Sequence, residues 1–234
     1  MGQATRHRAY CAYCGAPKVS EDHVPPRNLF PLNRTNLVTV PACHEHNGKR
    51  SGLDEDFRNY VATHIGDDTP DAQELLRRTA RGAQRNKKLR RWRPDLSAFE
   101  VDIKSDSFKP MIEWITRGLY WRAYSGDRLP LDIEMQIGQL RIGEWLPPFV
   151  SDMNRVRMGG DQFLCAYNRM VDHPTVSIWV YVFHRRLVAM AMTDVVLADK
   201  LVGSEDRPSD QGIRAASRYR HLSNRRTAPR RQGL

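Results

Sequence analysis

Two pairs of metal-ligating residues, each pair spaced by two residues, stand within the first fifty positions and constrain the fold more than anything else in the chain. Cys11-Ala-Tyr-Cys14 forms the first, and Cys43-His44-Glu45-His46 the second. Structural zinc takes four tetrahedral sulfur or nitrogen ligands, usually as two close pairs carried on two turns. Gly15 follows the first pair and permits the tight backbone turn that such a knuckle needs. Cys11, Cys14, Cys43 and His46 are therefore the expected ligands of one structural Zn²⁺. His44 is an alternative, but the spacing favours His46. Three of the four cysteines fall in this window. A disulfide would leave an odd ligand over, and no signal peptide is visible, so metal is preferred. Cys165 stands alone in the apolar run Phe163-Leu164-Cys165-Ala166-Tyr167 and reads as a small core residue.

A second set of residues lies between the two pairs and just after them. Asp22-His23-Val24-Pro25-Pro26 offers a hard oxygen ligand beside a side chain that titrates near neutrality. Phosphodiester hydrolysis needs a base to activate water and a cation to neutralise charge on the phosphate and the departing oxygen. His23 suits the first task. Asp22 suits the second, with Mg²⁺ or Mn²⁺ rather than zinc. Neighbours in a strand point to opposite faces, so the two can serve from different sides. Asn47 follows the second pair directly and offers an amide oxygen to the same cation. The zinc would tie Asn47 to the Asp22-His23 strand without touching substrate.

These residues together resemble the HNH endonucleases of the zinc-ribbon type, built on a ββα-metal core. The shared pattern is C-x-x-C, then D-H-V-x-P, then Asn36-Leu37-Val38, then the second pair followed by Asn47-Gly48-Lys49-Arg50-Ser51. It spans about Cys11 to Tyr60, roughly a quarter of the chain. The resemblance implies that Asp22 binds the catalytic cation, that His23 is the general base, and that Asn47 holds the last metal-binding position. It also implies that Asn36 is the middle asparagine, which orients the loop and the His23 ring. Cleavage would leave 5′-phosphate and 3′-hydroxyl ends. The fourth zinc ligand is commonly Cys in that family, and here a histidine takes its place.

Charge distribution agrees with a nucleic-acid partner, most readily DNA. Residues 77–93 (RRTARGAQRNKKLRRWR) hold nine Lys/Arg and no acid, and residues 211–234 hold seven Arg and no acid. Those sixteen exceed the whole net charge of +10, so the rest of the chain is net acidic. Such blocks commonly mark phosphate-binding surfaces or arms. Lys49, Arg50, Arg77, Arg78, Arg81, Arg85, Lys87, Lys88, Arg90 and Arg91 are the expected nucleic-acid contacts. The acidic run Asp54-Glu55-Asp56 fits the start of a helix, where the dipole favours negative charge.

The expected fold class is α+β, a small zinc-stabilised ββα-metal module followed by a helical and antiparallel-sheet domain. Residues 1–66 would form the module, 67–200 an accessory domain for DNA binding, docking or sensing, and 201–234 a basic tail. Helices are predicted over Leu53–His64, from Thr69-Pro70 onward, and over Phe108–Tyr124. Strands are predicted over Asp132–Ile142 with a bulge near Gly138, over Thr175–Phe183 as a central strand, and over Leu187–Met192. No apolar run approaches the ~20 residues of a membrane span. The chain is expected in the cytoplasm. Two rival functions remain open: a defence or toxin nuclease effector controlled by a partner protein or a ligand, and a non-catalytic nucleic-acid-binding zinc module; a regulatory partner protein or a homodimer is the expected assembly.

Overall fold

The computed structural model describes residues 8–48, 50–66, 69–85, 105–140 and 148–202. Helix and antiparallel sheet are mixed, giving the expected α+β class. Strands β1 (Ser20–Val24) and β2 (Val38–Ala42) form a hairpin that sets Asp22 opposite Val40 and His23 opposite Thr39. A single helical turn α1 (His44–Gly48) follows, then α2 (Ser51–His64), α3 (Pro70–Arg85) and α4 (Phe108–Ala123). Pro70 occupies the first helical position of α3, where its missing N–H is harmless. Five strands come next: β3 (Met135–Leu140), β4 (Asn154–Met158), β5 (Phe163–Arg169), β6 (Ser177–Phe183) and β7 (Leu187–Thr193). They form one antiparallel sheet of order β3-β7-β6-β5-β4, and α5 (Val195–Val202) ends the described chain.

β6 is the central strand, and both its faces are covered. Trp179, Tyr181 and Phe183 join the main core, while Ile178 and Val180 join a smaller cluster with Met153, Met190 and Met192. That is why its sequence shows no alternation. β4 and the full length of β5 were not legible as strands. Arg155 and Arg157 make β4 a charged edge, which discourages pairing with other chains. The expected bulge at Gly138 is corrected: Gly138 pairs in regular register with Met190, and a Cβ there would meet nothing within 4 Å. β3 also starts at Met135, later than its pattern suggested.

α4 is the wall shared by the hairpin and the sheet. Met111, Ile112, Ile115 and Thr116 are fully buried, and Thr116 Oγ1 hydrogen-bonds Tyr181 Oη at 2.7 Å on the sheet side. Toward the hairpin, a Cβ on Gly118 would stand 2.7 Å from Val24 Cγ2 and 3.2 Å from Tyr13 Oη. Only a residue without a side chain lets the helix approach this closely. One hydrophobic cluster runs from Cys11 to Ala191, so packing continues across residue 66, where the sequence suggested a boundary.

Two hairpin turns of the sheet grip the loop between β1 and β2. The Gly159 N–H donates to the Thr35 carbonyl at 2.8 Å, and a Cβ on Gly159 would overlap the Phe30 ring. Nearby, His184 Nε2 hydrogen-bonds the Leu29 carbonyl at 3.0 Å. Burial holds the His184 imidazole below its ordinary pKa, against the pull of that carbonyl.

Gly118→Ala is expected to lower stability by about 1–3 kcal/mol, the usual range for overpacking, as read by denaturant unfolding. Unchanged stability would mean that α4 shifts freely on β1. His184 makes stability depend on pH. Unfolded, it titrates near pH 6.5; folded, lower. As pH falls through about 6.5 the unfolded chain takes up a proton that the folded chain does not, so stability declines until the folded pKa is reached. His184→Gln keeps the N–H donor and should flatten the curve of unfolding free energy against pH in that window. An equally steep curve would contradict this.

Candidate functional site

The two short pairs converge. Cys11, Cys14, Cys43 and His46 bring their ligand atoms within 4.8 Å of one another, forming a Cys₃His cluster that can hold a metal ion such as zinc. Cys14 Sγ and Cys43 Sγ lie 3.8 Å apart. Two sulfurs each ~2.3 Å from a tetrahedral zinc would also stand about 3.8 Å apart. His46 Nδ1 stands 3.1 Å from Cys43 Sγ and 3.7 Å from Cys11 Sγ. His46 is thus the histidine of the cluster, while His44 lies beside Gly48 and is exposed. Gly15 takes a positive φ of 77° to close the first knuckle, and its N–H donates to the Cys11 carbonyl at 2.9 Å.

Burial pushes the Cys14 thiol up to about 11, and burial likewise lowers His46. For Cys43 burial acts in the same raising sense, but N–H groups of His46 and Glu45 and the neighbouring thiols outweigh it and hold the thiol below its ordinary value. A bound cation would bring all the thiols to thiolates.

An aromatic stack leads away from the cluster. His46 stacks on Tyr13 and on Trp114, whose own rings are 4.1 Å apart. The Arg50 guanidinium lies over Trp114, 4.9 Å from its centroid. Arg50 Nη2 then donates to Asp22 Oδ1 at 2.6 Å, and Arg50 Nε donates to Asp54 Oδ1 at 3.0 Å. Tyr13 Oη and Trp114 Nε1 donate to Asp22 Oδ2 at 2.5 and 3.3 Å. Asp22 is only 4% exposed, and burial pushes its carboxyl up against the opposing pull of Arg50 and Tyr13.

Beyond Asp22 opens a cleft of about 250 Å³. Asp22, His23 and Asn47 all border it, together with Arg27, Asn28 and Asp54. His23 is half-buried on the strand face opposite Asp22. Burial, then the Arg27 charge, lowers its pKa, with Asp22 opposing. Both effects favour the neutral imidazole, the form that can accept a proton. Asn47 Nδ2 donates to Ser20 Oγ at 2.7 Å and to the Glu21 carbonyl at 3.4 Å, which ties α1 to β1.

Other sequence-predicted residues lie elsewhere. Asn36 takes a positive φ of 58° in the turn before β2 and is not among the residues bordering the cleft. Arg50 was expected on a phosphate-binding surface; it is 7% exposed and bound to two carboxylates, so that expectation is corrected. Arg77, Arg78 and Arg81 do lie on one helix, but each ion-pairs with Glu74, and Arg78 also donates to the Pro31 carbonyl. Arg85 ends α3. Lys49, Lys87, Lys88, Arg90, Arg91 and the 201–234 tail beyond Val202 lie outside the described residues. Arg27 and Asn28 also border the cleft, and no motif in the sequence marks them. The available signal was that they directly follow Asp22-His23-Val24-Pro25-Pro26.

Among the described residues no helix is long and apolar enough to cross a membrane. No protein-family model, curated protein or solved structure matches the chain.

The Cys₃His cluster should bind one zinc per chain. Structural zinc sites contribute roughly 10–16 kcal/mol in small modules, comparable with the ~5–15 kcal/mol of a whole domain. Cys11→Ser is expected to lose the metal and, with it, the near-ultraviolet dichroism of the Tyr13–Trp114 stack. Metal-free protein with the parental melting temperature would refute a structural role.

Proposed function

We propose that the chain is an HNH-type endonuclease that hydrolyses phosphodiester bonds in DNA with the help of a divalent cation. On this reading the β1–β2 hairpin and the α1–α2 helices are a ββα-metal module, held in shape by zinc. The observation that carries it is the cleft in which His23, Asn47 and Asp22 meet, next to the Cys₃His cluster.

The chemistry assigned to each residue follows from its surroundings. His23 accepts a proton from the attacking water, and its depressed pKa keeps it ready at neutral pH. Asn47 presents its amide oxygen, because Ser20 and Glu21 occupy its amide nitrogen. Asp22 has about four lone-pair sites as a carboxylate. Tyr13, Trp114 and Arg50 fill three of them, so one on Oδ1 stays available to a cation. A bound Mg²⁺ or Mn²⁺ would neutralise charge on the phosphate and on the departing 3′-oxygen. The hard oxygen donors at the cleft suit either ion. Arg27, exposed on the rim, offers positive charge to the phosphate.

Supercoiled plasmid incubated with and without Mg²⁺ tests this reading. Cleavage should require the cation, and His23→Ala should lower it by at least ~10²–10⁴ with zinc content intact. Asn47→Ala should regain part of its activity at high Mn²⁺, whereas His23→Ala should not, because added metal supplies no proton acceptor. A His23→Ala chain that cleaves at the parental rate would exclude this mechanism.

A further inference from the structure

We propose that Asn28, which borders the same cleft as Asn47, is a further oxygen ligand of the divalent cation. The inference rests on the nuclease reading, and it names a residue that neither the motif nor the charge pattern singled out.

Asn28 sits in the 3-10 turn Arg27–Leu29, just after the Asp22-His23 strand. Its Nδ2 donates to the backbone carbonyl of Asp54 at 2.9 Å. A carbonyl can only accept, so the amide nitrogen must face it and the orientation is fixed. Asn28 Oδ1 is then left over. It is buried, it has no hydrogen-bond partner among the described residues, and Asn28 borders the cleft. Buried acceptors are nearly always satisfied, so one left open beside a polar cleft calls for a positive or donating partner.

Asn47 is set up in the same way. Its Nδ2 donates to Ser20 Oγ and to the Glu21 carbonyl, which fixes its amide orientation too, and Asn47 borders the same cleft. Two asparagines bordering the cleft, one from the β1–β2 loop and one from α1, therefore have their amide nitrogens committed to the protein, and Asn28 Oδ1 is without a partner among the described residues. Asp22 Oδ1 adds a third oxygen with a lone pair in hand. Amide and carboxylate oxygens are the donors that Mg²⁺ and Mn²⁺ prefer, and water and a phosphate oxygen would complete six-coordination. His23 is left out of this set and keeps its lone pair for the proton.

Asn28 also has a mechanical advantage as a ligand. The turn that carries it is pinned by the His184 contact to Leu29 and by the Asp54 carbonyl at the start of α2. Its oxygen is held before any ligand arrives.

Mn²⁺ binding followed by electron paramagnetic resonance tests the proposal independently of cleavage. The full chain is used with its zinc content measured. Asn28→Ala and Asn47→Ala should each weaken Mn²⁺ binding by at least about tenfold, since even outer partners of metal ligands commonly contribute that much. Asn168→Ala, on β5 far along the chain, should bind as the parent does. If Asn47→Ala weakens binding and Asn28→Ala does not, a water satisfies Asn28 Oδ1 and this inference is overturned while the nuclease reading stands. A parent chain that binds no Mn²⁺ overturns both. Should Asn28→Ala fail to fold, the parent decides. Substoichiometric Mn²⁺ should broaden the side-chain amide resonance of Asn28, and an unbroadened signal overturns the proposal.

Discussion

The buried pair between Arg50 and Asp22 is the interaction on which the rest of the N-terminal structure depends. Removing two charges from water carries a desolvation penalty of several kcal/mol per ion, offset only when the remaining hydrogen-bonding capacity is used. Here much of it is. Tyr13 from the first knuckle, Trp114 from α4 and Arg50 from the start of α2 all donate to one carboxylate on β1. Three donors, from nine to ninety-two residues away in sequence, thus share a single anion. Arg50 engages Asp54 as well, while its Nη1 has no partner among the described residues. Loss of Arg50 would leave the Asp22 carboxylate buried without its counter-charge, whereas loss of Asp22 would leave Arg50 with Asp54 alone.

The Cys₃His cluster and this pair reinforce each other through flat rings. His46 belongs to the cluster and stacks on Tyr13 and Trp114, and the Arg50 guanidinium lies over Trp114. Offset aromatic pairs add ~0.5–1.5 kcal/mol beyond burial, and a desolvated guanidinium over an indole about 2 kcal/mol. A metal in the cluster would fix the His46 ring, and that ring in turn limits where Trp114 and Arg50 can go. The α4 helix is therefore part of the cleft's support even though none of its residues borders the cleft.

Much of this was legible in the sequence because it follows local rules. The four cluster residues were readable from spacing alone, and His23 and Asn47 from their place around those pairs. α2, α3 and α4 were readable from periodicity and from Pro70. The central strand was readable from its unbroken apolar run. What was hidden depends on partners that lie far away in sequence. Arg50 looks like a surface cation until Asp22 and Asp54 are set beside it. Asn28 looks like a turn residue until the Asp54 carbonyl fixes its amide. β4 was hidden because an edge strand rich in arginine lacks the apolar alternation that marks a buried one, and the Gly159-Gly160 turn that follows it became meaningful only once Phe30 was seen against it.

The grip of the sheet on the β1–β2 loop changes what counts as a separable part. The loop's carbonyls at Leu29 and Thr35 find their partners in His184 and Gly159, more than a hundred residues downstream. Phe30 is buried in the same region. A fragment ending at residue 66 would keep every residue of the motif yet expose these carbonyls and that ring to water. Grafting the cleft onto another scaffold would therefore mean carrying over the two sheet turns as well, as a brace that holds the loop from behind.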